Sequence, residues 1–389
     1  MSWREELAVE LDRDEAQGLR RRLRTLEGPS RPEAVIDGRP VVQFASNNYL
    51  GLAMHPRVVA AAQAAAARWG TGSGASPLVA GHQGVHAQLE GALAQAKGAE
   101  AALVFATGSL ANLGAMAVLP GEDGQVFLDK LDHATLYDGA KLSGAAVARF
   151  PHQDLGRLEA LLAQARAAGG HRLVVAVDAV YSMDGDIAPL PRLLELAQAH
   201  DAILVVDEAH STGVLGARGH GILEHFGIQG WPAPLVLTGT LSKALGSLGG
   251  YVAGPRVVIE TLLNRSRAYI YATALGAPAA AAALEALQVM EDEPQHLRRL
   301  WDATHEVAGR LAALGWSTAP SVTPILPLRV GAADQAMALQ RRLWEAGYLV
   351  PAIRPPTVPA NACRLRLSLS AEHEPRHWDG LLRCLGGRP

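Results

Sequence analysis

Lys243 is the first candidate for chemistry, because lysine is rare in this chain. Among the 35 lysine and arginine residues of the 389-residue sequence, the lysines are only Lys97, Lys130, Lys141 and Lys243. Lys243 lies in TLSKALGSLGG, where a short apolar run has just ended. Arginine stays protonated in proteins, whereas a buried lysine can lose its proton and attack an aldehyde as a neutral amine. Lys243 is therefore a candidate nucleophile, with an ordinary surface lysine as the alternative.

Other polar residues follow apolar runs that are typical of buried parallel strands. In open α/β sheets, ligands bind beyond the carboxyl ends of such strands. The residues at these ends are, in chain order, Gly108, Ser109, Ser182, Asp207, His210, Thr240 and Lys243. Gly108 and Ser109 open a predicted helix, whose free N–H groups favour an anion. We therefore expect one crevice with an anion cradle, hydroxyl groups, a carboxylate, an imidazole and an amine.

Pyridoxal phosphate is the cofactor that would use this whole set of groups. Its aldehyde needs a lysine amine, its phosphate needs an anion cradle, and its ring nitrogen works best when protonated beside a carboxylate. Lys243 can supply the amine and Asp207 the carboxylate, from the ends of neighbouring strand candidates. The motifs thus predict a pyridoxal phosphate site.

Other interpretations of the same motifs are weaker. An aspartate that ends a strand often caps the next helix. DEAH at 207–210 would suit a nucleotide-driven protein only beside a phosphate loop, and no lysine of the chain follows a glycine. HQGVH at 82–86 has two histidines at helical spacing but lacks the glutamate of catalytic zinc helices and a third ligand. We therefore predict no metal site. TGSGAS at 71–76 follows no strand, which disfavours a dinucleotide fingerprint.

Composition indicates a folded protein with a large core. Hydrophobic residues make up 49% of the chain, charged residues 19%, and the net charge is −3, which gives little support to disorder or nucleic-acid binding. The N-terminus is too charged for a signal peptide, and the alanine-rich stretch 274–290 is typical of a packed helix. Cys363 and Cys384 form no disulfide framework or zinc motif. We expect a soluble, cytoplasmic enzyme.

The order of elements predicts an α/β architecture. From about residue 57 to 285, helical stretches alternate with the apolar runs 102–106, 173–180, 202–210 and 235–240, which we interpret as parallel strands of a doubly wound sheet. An N-terminal segment contains a helix, with Leu19 and Leu23 on one face, and a hairpin at 34–44. The C-terminal part mixes helices with strands. The predicted units are residues 1–45, 46–290 and 291–389, the first packing with the third.

Several longer motifs resemble the α-oxoamine synthase family of pyridoxal phosphate enzymes. The resemblance covers nearly the whole chain, and the motifs stand in the family's order. They are FASNNYLGL (44–52), GTGSGAS (70–76), LDHATLYDGAKLS (131–143), YSMDGDIAPL (181–190), VVDEAHSTGVLG (205–216), TLSKALGSLGG (240–250) and YIYATAL (269–275). The resemblance implies the aspartate-aminotransferase-like fold of type I, with a large, mostly parallel-sheet domain and a smaller α+β domain.

The resemblance also implies roles around the cofactor ring. Lys243 would bind the cofactor covalently and later move the substrate's Cα proton. Asp207 would pair with the ring nitrogen, and His133 would stack on the ring face and border the substrate. His210 and Ser182 would lie near the ring hydroxyl.

The cofactor phosphate has its own set of implied ligands. By the same resemblance Gly108, Ser109 and Thr240 would bind it within one subunit. Thr273 would reach it across a subunit interface. The active form would then be a homodimer.

Two stretches, 1–23 and 352–359, resemble one branch of the family. That branch joins L-alanine to a pimeloyl thioester, carried by coenzyme A or by an acyl carrier protein. A sister branch that uses glycine and an acetyl thioester, and a plain aminotransferase of the same fold, are the alternatives.

Two arginines are candidates for the carboxylates of these substrates. The branch resemblance implies that Arg354 and Asn47 hold the alanine carboxylate, and that Arg20 and Thr357 contact the acyl substrate. Arginine forms bidentate pairs with carboxylates. A structural ion pair is the alternative for Arg354, and a solvated helix face is the alternative for Arg20.

Overall fold

The computed structural model describes residues 1–16, 19–170, 172–355, 357–359 and 361–387. The helices in this part of the chain are α1 (Trp3–Ala16), α2 (Pro56–Trp69), α3 (Gly84–Lys97), α4 (Gly108–Val118), α5 (Ala134–Leu142), α6 (Leu155–Ala167), α7 (Leu190–Ala199), α8 (Ile222–His225), α9 (Arg256–Arg265), α10 (Arg267–Ile270), α11 (Ala277–Asp292), α12 (Gln295–Ala313), α13 (Ala333–Glu345) and α14 (Pro375–Leu385). The strands are β1 (Glu33–Ile36), β2 (Arg39–Gln43), β3 (Ala101–Phe105), β4 (Gln125–Asp129), β5 (Ala146–Phe150), β6 (Leu173–Asp178), β7 (Ala202–Asp207), β8 (Leu235–Thr240), β9 (Gly250–Gly254), β10 (Ile325–Gly331), β11 (Tyr348–Leu349), β12 (Ala352–Ile353) and β13 (Cys363–Ser368).

A seven-stranded sheet forms the centre of the large unit, in the order β3-β9-β8-β7-β6-β4-β5. Strands β4 to β8 are parallel, and every residue of β6 and β8 is buried. Successive residues such as Val205 and Val206 belong to two different hydrophobic clusters. Both faces of the sheet are therefore covered, which explains why these strands have apolar runs rather than alternation.

The prediction that the run at 102–106 is a parallel strand was wrong. This run forms β3, an edge strand that pairs only with β9, and the pairing is antiparallel. Strand β9 is also antiparallel to β8, because the connection 241–249 is too short for the helical crossover that parallel strands need. The connection that reverses the chain here is the one that carries Lys243.

The described residues also form two three-stranded sheets, with the orders β1-β2-β11 and β10-β13-β12. The predicted hairpin at 34–44 is confirmed. Asp37 and Gly38 at its turn have φ angles of 51° and 71°, as a two-residue turn of type I′ requires. Since β2 also pairs with β11 near the C-terminus, the N-terminal segment lies against the C-terminal one. The proposed boundaries at 45 and 290 remain predictions.

The N-terminal helix ends earlier than its leucine spacing suggested. Helix α1 ends at Ala16, and residues 19–25 are not helical, so the predicted shared face of Leu19 and Leu23 does not form. Leu23 is fully exposed and α1 has no buried residue. A short helix with no partner to bury its apolar face gains little from continuing. No helix in the described ranges is both long and apolar enough to cross a membrane.

A buried ion pair lies beneath the sheet's functional edge. Lys97 Nζ lies 2.6 Å from Glu208 Oε2, and the two side chains are 1% and 0% exposed. Lys97 also donates to Thr212 Oγ1 and to the carbonyl of His220, at 2.9 and 2.7 Å. Lys97 is therefore engaged in a buried ion pair with a carboxylate, which leaves Lys243 as the candidate nucleophile.

We predict that Lys97→Met lowers the free energy of unfolding by about 3–5 kcal/mol, because it leaves the Glu208 carboxylate buried without its counter-charge. Denaturant unfolding measures this change. The double variant Lys97→Met with Glu208→Gln should regain most of the loss, whereas Arg192→Met, which breaks exposed ion pairs, should cost less than about 1 kcal/mol. Equal losses in Lys97→Met and Arg192→Met would contradict the account.

Candidate active site

A cavity of about 320 Å³ lies at the carboxyl ends of β6, β7 and β8. Seven residues predicted from the sequence line it: Gly108, Ser109, His133, Asp207, His210, Thr240 and Lys243. They come from four separate stretches of the chain. The sheet brings these stretches together because the register aligns Asp178, Asp207 and Thr238 on adjacent strands.

Lys243 is partly buried in this cavity, and its Nζ lies 2.9 Å from Nε2 of His210. Burial lowers the pKa of Lys243 to about 8, against the opposing effect of the Asp207 and Asp178 carboxylates, and Arg366 lowers it further. Desolvation thus outweighs two nearby negative charges. A substantial fraction of this amine is neutral near pH 8. An exposed lysine of ordinary pKa is almost entirely protonated at that pH.

His210 connects Lys243 to a second row of polar groups. Its Nδ1 lies 2.7 Å from the hydroxyl of Tyr49, which donates to Oδ1 of Asn47 at 3.2 Å. Burial, together with the charge of Lys243, holds the pKa of His210 well below its usual range. The imidazole is therefore neutral. Because the Tyr49 proton goes to Asn47, we assign the ring proton of His210 to Nδ1 and leave Nε2 free to accept from Lys243.

Asp207 ends β7 and is fixed by two donors. The backbone N–H of Ala209 donates to Oδ1 at 2.8 Å, and the side-chain amide of Asn112 donates to Oδ2 at 2.6 Å. Asn112 was not predicted from the sequence. It lies in TGSLANLG one helical turn beyond Gly108, and its burial at 4% exposure is the signal that identifies it.

His133 lies at the cavity mouth as the N-cap of α5. Its ring is exposed, and its Nδ1 lies 2.7 Å from Thr135 Oγ1. Its backbone N–H donates to Oδ1 of Asp178 at 3.2 Å. Asp178 was also not predicted, because it lies inside an apolar run. Burial, with the neighbouring charge of Asp207, raises the pKa of Asp178 well above its usual range.

An anion cradle forms where α4 begins. The Thr107 hydroxyl accepts from the N–H of Leu110, so the N–H groups of Gly108 and Ser109 have no partner among the described residues and can bind an anion. A Cβ at Gly108 would lie 2.9 Å from Cβ of Thr240. Glycine is therefore required to keep the space beside the Thr240 hydroxyl open.

A buried arginine that the sequence analysis did not identify lies beside the cavity. Arg366, on β13, is 6% exposed; its Nε donates to the carbonyl of Ser182 at 2.6 Å, and an Nη donates to Oδ1 of Asn47 at 3.3 Å. No carboxylate pairs with it in the described part of the chain. Arg364, on the same face of β13, is 4% exposed and pairs with Asp184.

The remaining predicted residues do not line the 320 Å³ cavity. Arg20 is exposed, with Nε 3.6 Å from Glu15 Oε2. The Arg354 carbonyl accepts from the N–H of Thr357, and Thr357 lines a neighbouring cavity of about 520 Å³. Thr273 is exposed. The roles given to these four residues, and to the side chains of Ser182 and Asn47, remain predictions.

The two histidines of HQGVH have partners other than a metal. His86 receives the N–H of Gln83 at Nδ1, and its Nε2 lies 2.6 Å from the carbonyl of Leu275. His82 pairs with Glu90. Among the described residues, the side chains near enough to one another to hold an ion are those of His55, Glu293 and His296. None of them lines the active-site cavity.

We predict that Gly108→Ala weakens the binding of inorganic phosphate by about tenfold or more, because the new methyl group would crowd Thr240. Phosphate titration by calorimetry measures this change. Gly91→Ala in α3 is the matched control, since a Cβ there meets nothing within 4 Å. Unchanged phosphate affinity in Gly108→Ala would contradict the assignment of the cradle.

Comparisons with known proteins agree with this geometry. Residues 39–385 match the model of the family described as aminotransferase class I and II. The chain is 49% identical over 362 residues to 8-amino-7-oxononanoate synthase of Methylococcus capsulatus, covering 93% of this chain and 92% of the relative. It is 47% identical over 380 residues to the enzyme of the same name from Cellvibrio japonicus, covering 98% and 94%.

A solved structure extends the comparison to the three-dimensional fold. Serine palmitoyltransferase from S. paucimobilis, solved as a variant with a bound PLP–myriocin aldimine, aligns with a TM-score of 0.90 at 31% identity. The alignment covers 97% of this chain and 95% of that one. The sheet order, the cavity residues and these matches lead to one conclusion: the chain belongs to the α-oxoamine synthases, within the class I and II aminotransferase family of fold type I.

Proposed function

We propose that this protein carries out the reaction of the 8-amino-7-oxononanoate synthases that it resembles, in biotin biosynthesis. L-Alanine and a pimeloyl thioester, carried by coenzyme A or an acyl carrier protein, are the substrates. A carbon–carbon bond forms between the alanine Cα and the acyl carbon, the thiol leaves, and the alanine carboxyl group leaves as carbon dioxide. The observation that carries the proposal is that Lys243 and Asp207 line one cavity, beyond the ends of the adjacent strands β8 and β7.

Pyridoxal 5′-phosphate is the cofactor, and the cavity residues match its functional groups. When bound, it supplies an aldehyde that joins to an amino group and a ring that withdraws electrons from the substrate's Cα. Lys243 would hold the aldehyde and Asp207 would pair with the ring nitrogen. Gly108, Ser109 and Thr240 bind the phosphate in the space that the missing side chain at 108 leaves open.

The remaining ring contacts come from two histidines and a serine. His133 closes over the ring face from the cavity mouth and borders the substrate. His210, with Ser182, lies near the ring hydroxyl. The neutral state of His210 matters here, because a cation next to Lys243 would disfavour the protonated form that the amine takes when it accepts a proton.

Lys243 is also the base that moves the Cα proton. A lysine with an ordinary pKa near 10.4 is almost entirely protonated at neutral pH and cannot accept a proton. Burial in this cavity lowers the pKa of Lys243 to about 8, close to the range in which a base both accepts and returns protons. Its contact with His210 holds the amine in place.

Arg366 is the better-placed ligand for the alanine carboxylate. It is buried, has no carboxylate partner among the described residues, and already contacts Asn47, which the family resemblance implies for the same carboxylate. A guanidinium fork matches a carboxylate in a bidentate geometry. Neither Arg366 nor Arg354, proposed from the sequence for this role, lines the 320 Å³ cavity, but Arg366 lies near enough to Lys243 to lower the pKa of that amine.

The neighbouring 520 Å³ cavity is the proposed site of the acyl substrate. Thr357, proposed as an acyl contact, lines this cavity together with Asp132, which adjoins His133 in the chain. Arg329, another lining residue, provides a partly exposed guanidinium at its wall. Arg20 is proposed as a further contact of the acyl chain.

A cytoplasmic homodimer is the proposed working form. Thr273, the proposed cross-subunit phosphate ligand, is exposed in the single chain, and exposed apolar side chains lie near it. Val79 is 80% exposed and Tyr271 is 71% exposed. The segment 71–81 packs on Ala274 and Leu275 through backbone and side-chain contacts, so this apolar surface and Thr273 belong to one face. Pairing such a face with a second subunit would bury it.

We predict that purified protein loaded with pyridoxal phosphate is yellow and that borohydride reduction fixes the cofactor on Lys243. Peptide mass spectrometry identifies the modified residue. Lys243→Ala should lose both colour and adduct, whereas Lys141→Ala, an exposed lysine, should keep both. An adduct on Lys97, Lys130 or Lys141 would overturn the site.

The same preparation tests the proposed substrates. Alanine with pimeloyl thioester should release thiol and carbon dioxide faster than any other pair. Faster turnover of glycine with an acetyl thioester would indicate the sister branch. Amino transfer to a 2-oxo acid without a thioester would indicate an aminotransferase.

We predict that Arg366→Lys raises the KM for alanine by about tenfold or more and changes the KM for the thioester little, because lysine cannot form the bidentate pair. Steady-state kinetics with each substrate varied separately measure both values. Arg354→Lys is the matched comparison. If Arg354→Lys raises the alanine KM and Arg366→Lys does not, Arg354 holds the carboxylate.

A further inference from the structure

Asn112 lies between two parts of the site, the strand ends that carry Asp207 and Thr238 and the start of α5 that carries Thr135. The residue lies in the second turn of α4 and is 4% exposed. Its amide makes three short hydrogen bonds. It accepts from the Thr238 hydroxyl at 2.6 Å and donates to Asp207 Oδ2 at 2.6 Å and to Thr135 Oγ1 at 2.9 Å. Its side-chain hydrogen bonds therefore join β7, β8 and the start of α5.

The Asp207 carboxylate and the Thr238 hydroxyl together determine which way the Asn112 amide faces. The carboxylate only accepts and takes an N–H group, and the hydroxyl donates to Oδ1 on the β8 side. Both N–H groups are then directed to the remaining partners, Asp207 and Thr135. A flipped amide would place its oxygen against the Asp207 carboxylate, which is repulsive.

The same group of hydrogen bonds determines which ring nitrogen of His133 accepts and which carries a proton. The Thr135 hydroxyl accepts from Asn112, and it donates to Nδ1 of His133 at 2.7 Å because the backbone N–H of Thr135 makes that nitrogen an acceptor. The backbone N–H of Thr135 also approaches Nδ1 at 3.3 Å. With two donors at Nδ1, the neutral ring carries its proton on Nε2. Asn112 therefore acts on a carboxylate below the ring site and on an imidazole at its mouth.

We propose that Asn112 is a positioning residue that holds Asp207 in the orientation needed at the cofactor's ring nitrogen and, through Thr135, holds His133 in one tautomer. The inference rests on the proposed function. A buried carboxylate with only the Ala209 N–H as donor would be free to rotate about its side-chain bonds. The Asn112 amide removes that rotational freedom before the cofactor binds. Such preorganisation favours both binding and catalysis.

A purely structural role for Asn112 makes a different prediction. A buried amide that only stabilises the packing of α4 on the sheet would change the unfolding temperature and leave the cofactor's spectrum alone. Gln43 provides the comparison. It is 6% exposed, and its amide donates to the carbonyl of Arg31, away from the cavity residues.

The test compares Asn112→Leu with the control Gln43→Leu in pyridoxal phosphate titrations of the cofactor-free protein. We expect Asn112→Leu to weaken cofactor binding by about tenfold or more, because the hydrogen bond lost is one to a charged group. The pH at which the bound cofactor's visible absorption changes should also shift. Gln43→Leu should lower the unfolding temperature without either effect.

Thr238→Val keeps the test informative if Asn112→Leu folds poorly. It preserves the shape of the buried strand residue and removes only one of the bonds that orient the Asn112 amide. We expect cofactor affinity between those of the wild type and Asn112→Leu, with the same direction of spectral shift. Cofactor affinity and spectrum unchanged in both variants would overturn the inference.

The wild type separates this inference from the proposed function. If the wild type forms no cofactor complex, the proposed function fails and this inference fails with it. If the wild type forms the complex and Asn112→Leu matches Gln43→Leu in affinity and spectrum, the inference alone fails.

Discussion

The chemistry of this protein depends on the pKa of the Lys243 amine, which desolvation lowers and nearby carboxylates raise. Lys243 lies beside two carboxylates, Asp207 and Asp178, that favour its protonated form, and burial at the sheet edge outweighs them. Two further features limit the charge that surrounds the amine. His210 stays neutral at 2.9 Å from the amine, and the raised pKa of Asp178 limits the negative charge that the amine meets. The result is a lysine that can act as a nucleophile and as a base.

The fold supplies this arrangement through strand order. Parallel β6, β7 and β8 align the carboxyl ends that carry Asp178, Asp207 and Thr240, and the chain then reverses into antiparallel β9. The short connection that makes the reversal places Lys243 over the cavity instead of in a crossover helix. Lys97, the other buried lysine, is paired with Glu208. One lysine thus serves the chemistry while another supports the sheet beneath it.

The sequence predicted the elements with local signals and missed those decided by tertiary contacts. Buried runs, the Asp37–Gly38 turn and the residues at strand ends were all recognisable. The antiparallel pairing of β3 was not, because an edge strand in an apolar run looks like a central one. Arg366 was missed because no motif distinguishes it from the other arginines of the chain, and Asn112 because a buried amide in a helix has no motif. Such residues are identified by burial and partners, which spacing alone does not encode.

The most direct test of the central claim is the pKa of the Lys243 amine itself. Four lysines give a simple spectrum, so NMR titration of lysine-labelled, cofactor-free protein can follow each amine separately, with Lys243→Ala assigning its signal. Lys243 is expected to titrate near pH 8, well below the ordinary lysine pKa of about 10.4. A Lys243 signal that titrates near the ordinary value of about 10.4 would contradict this expectation.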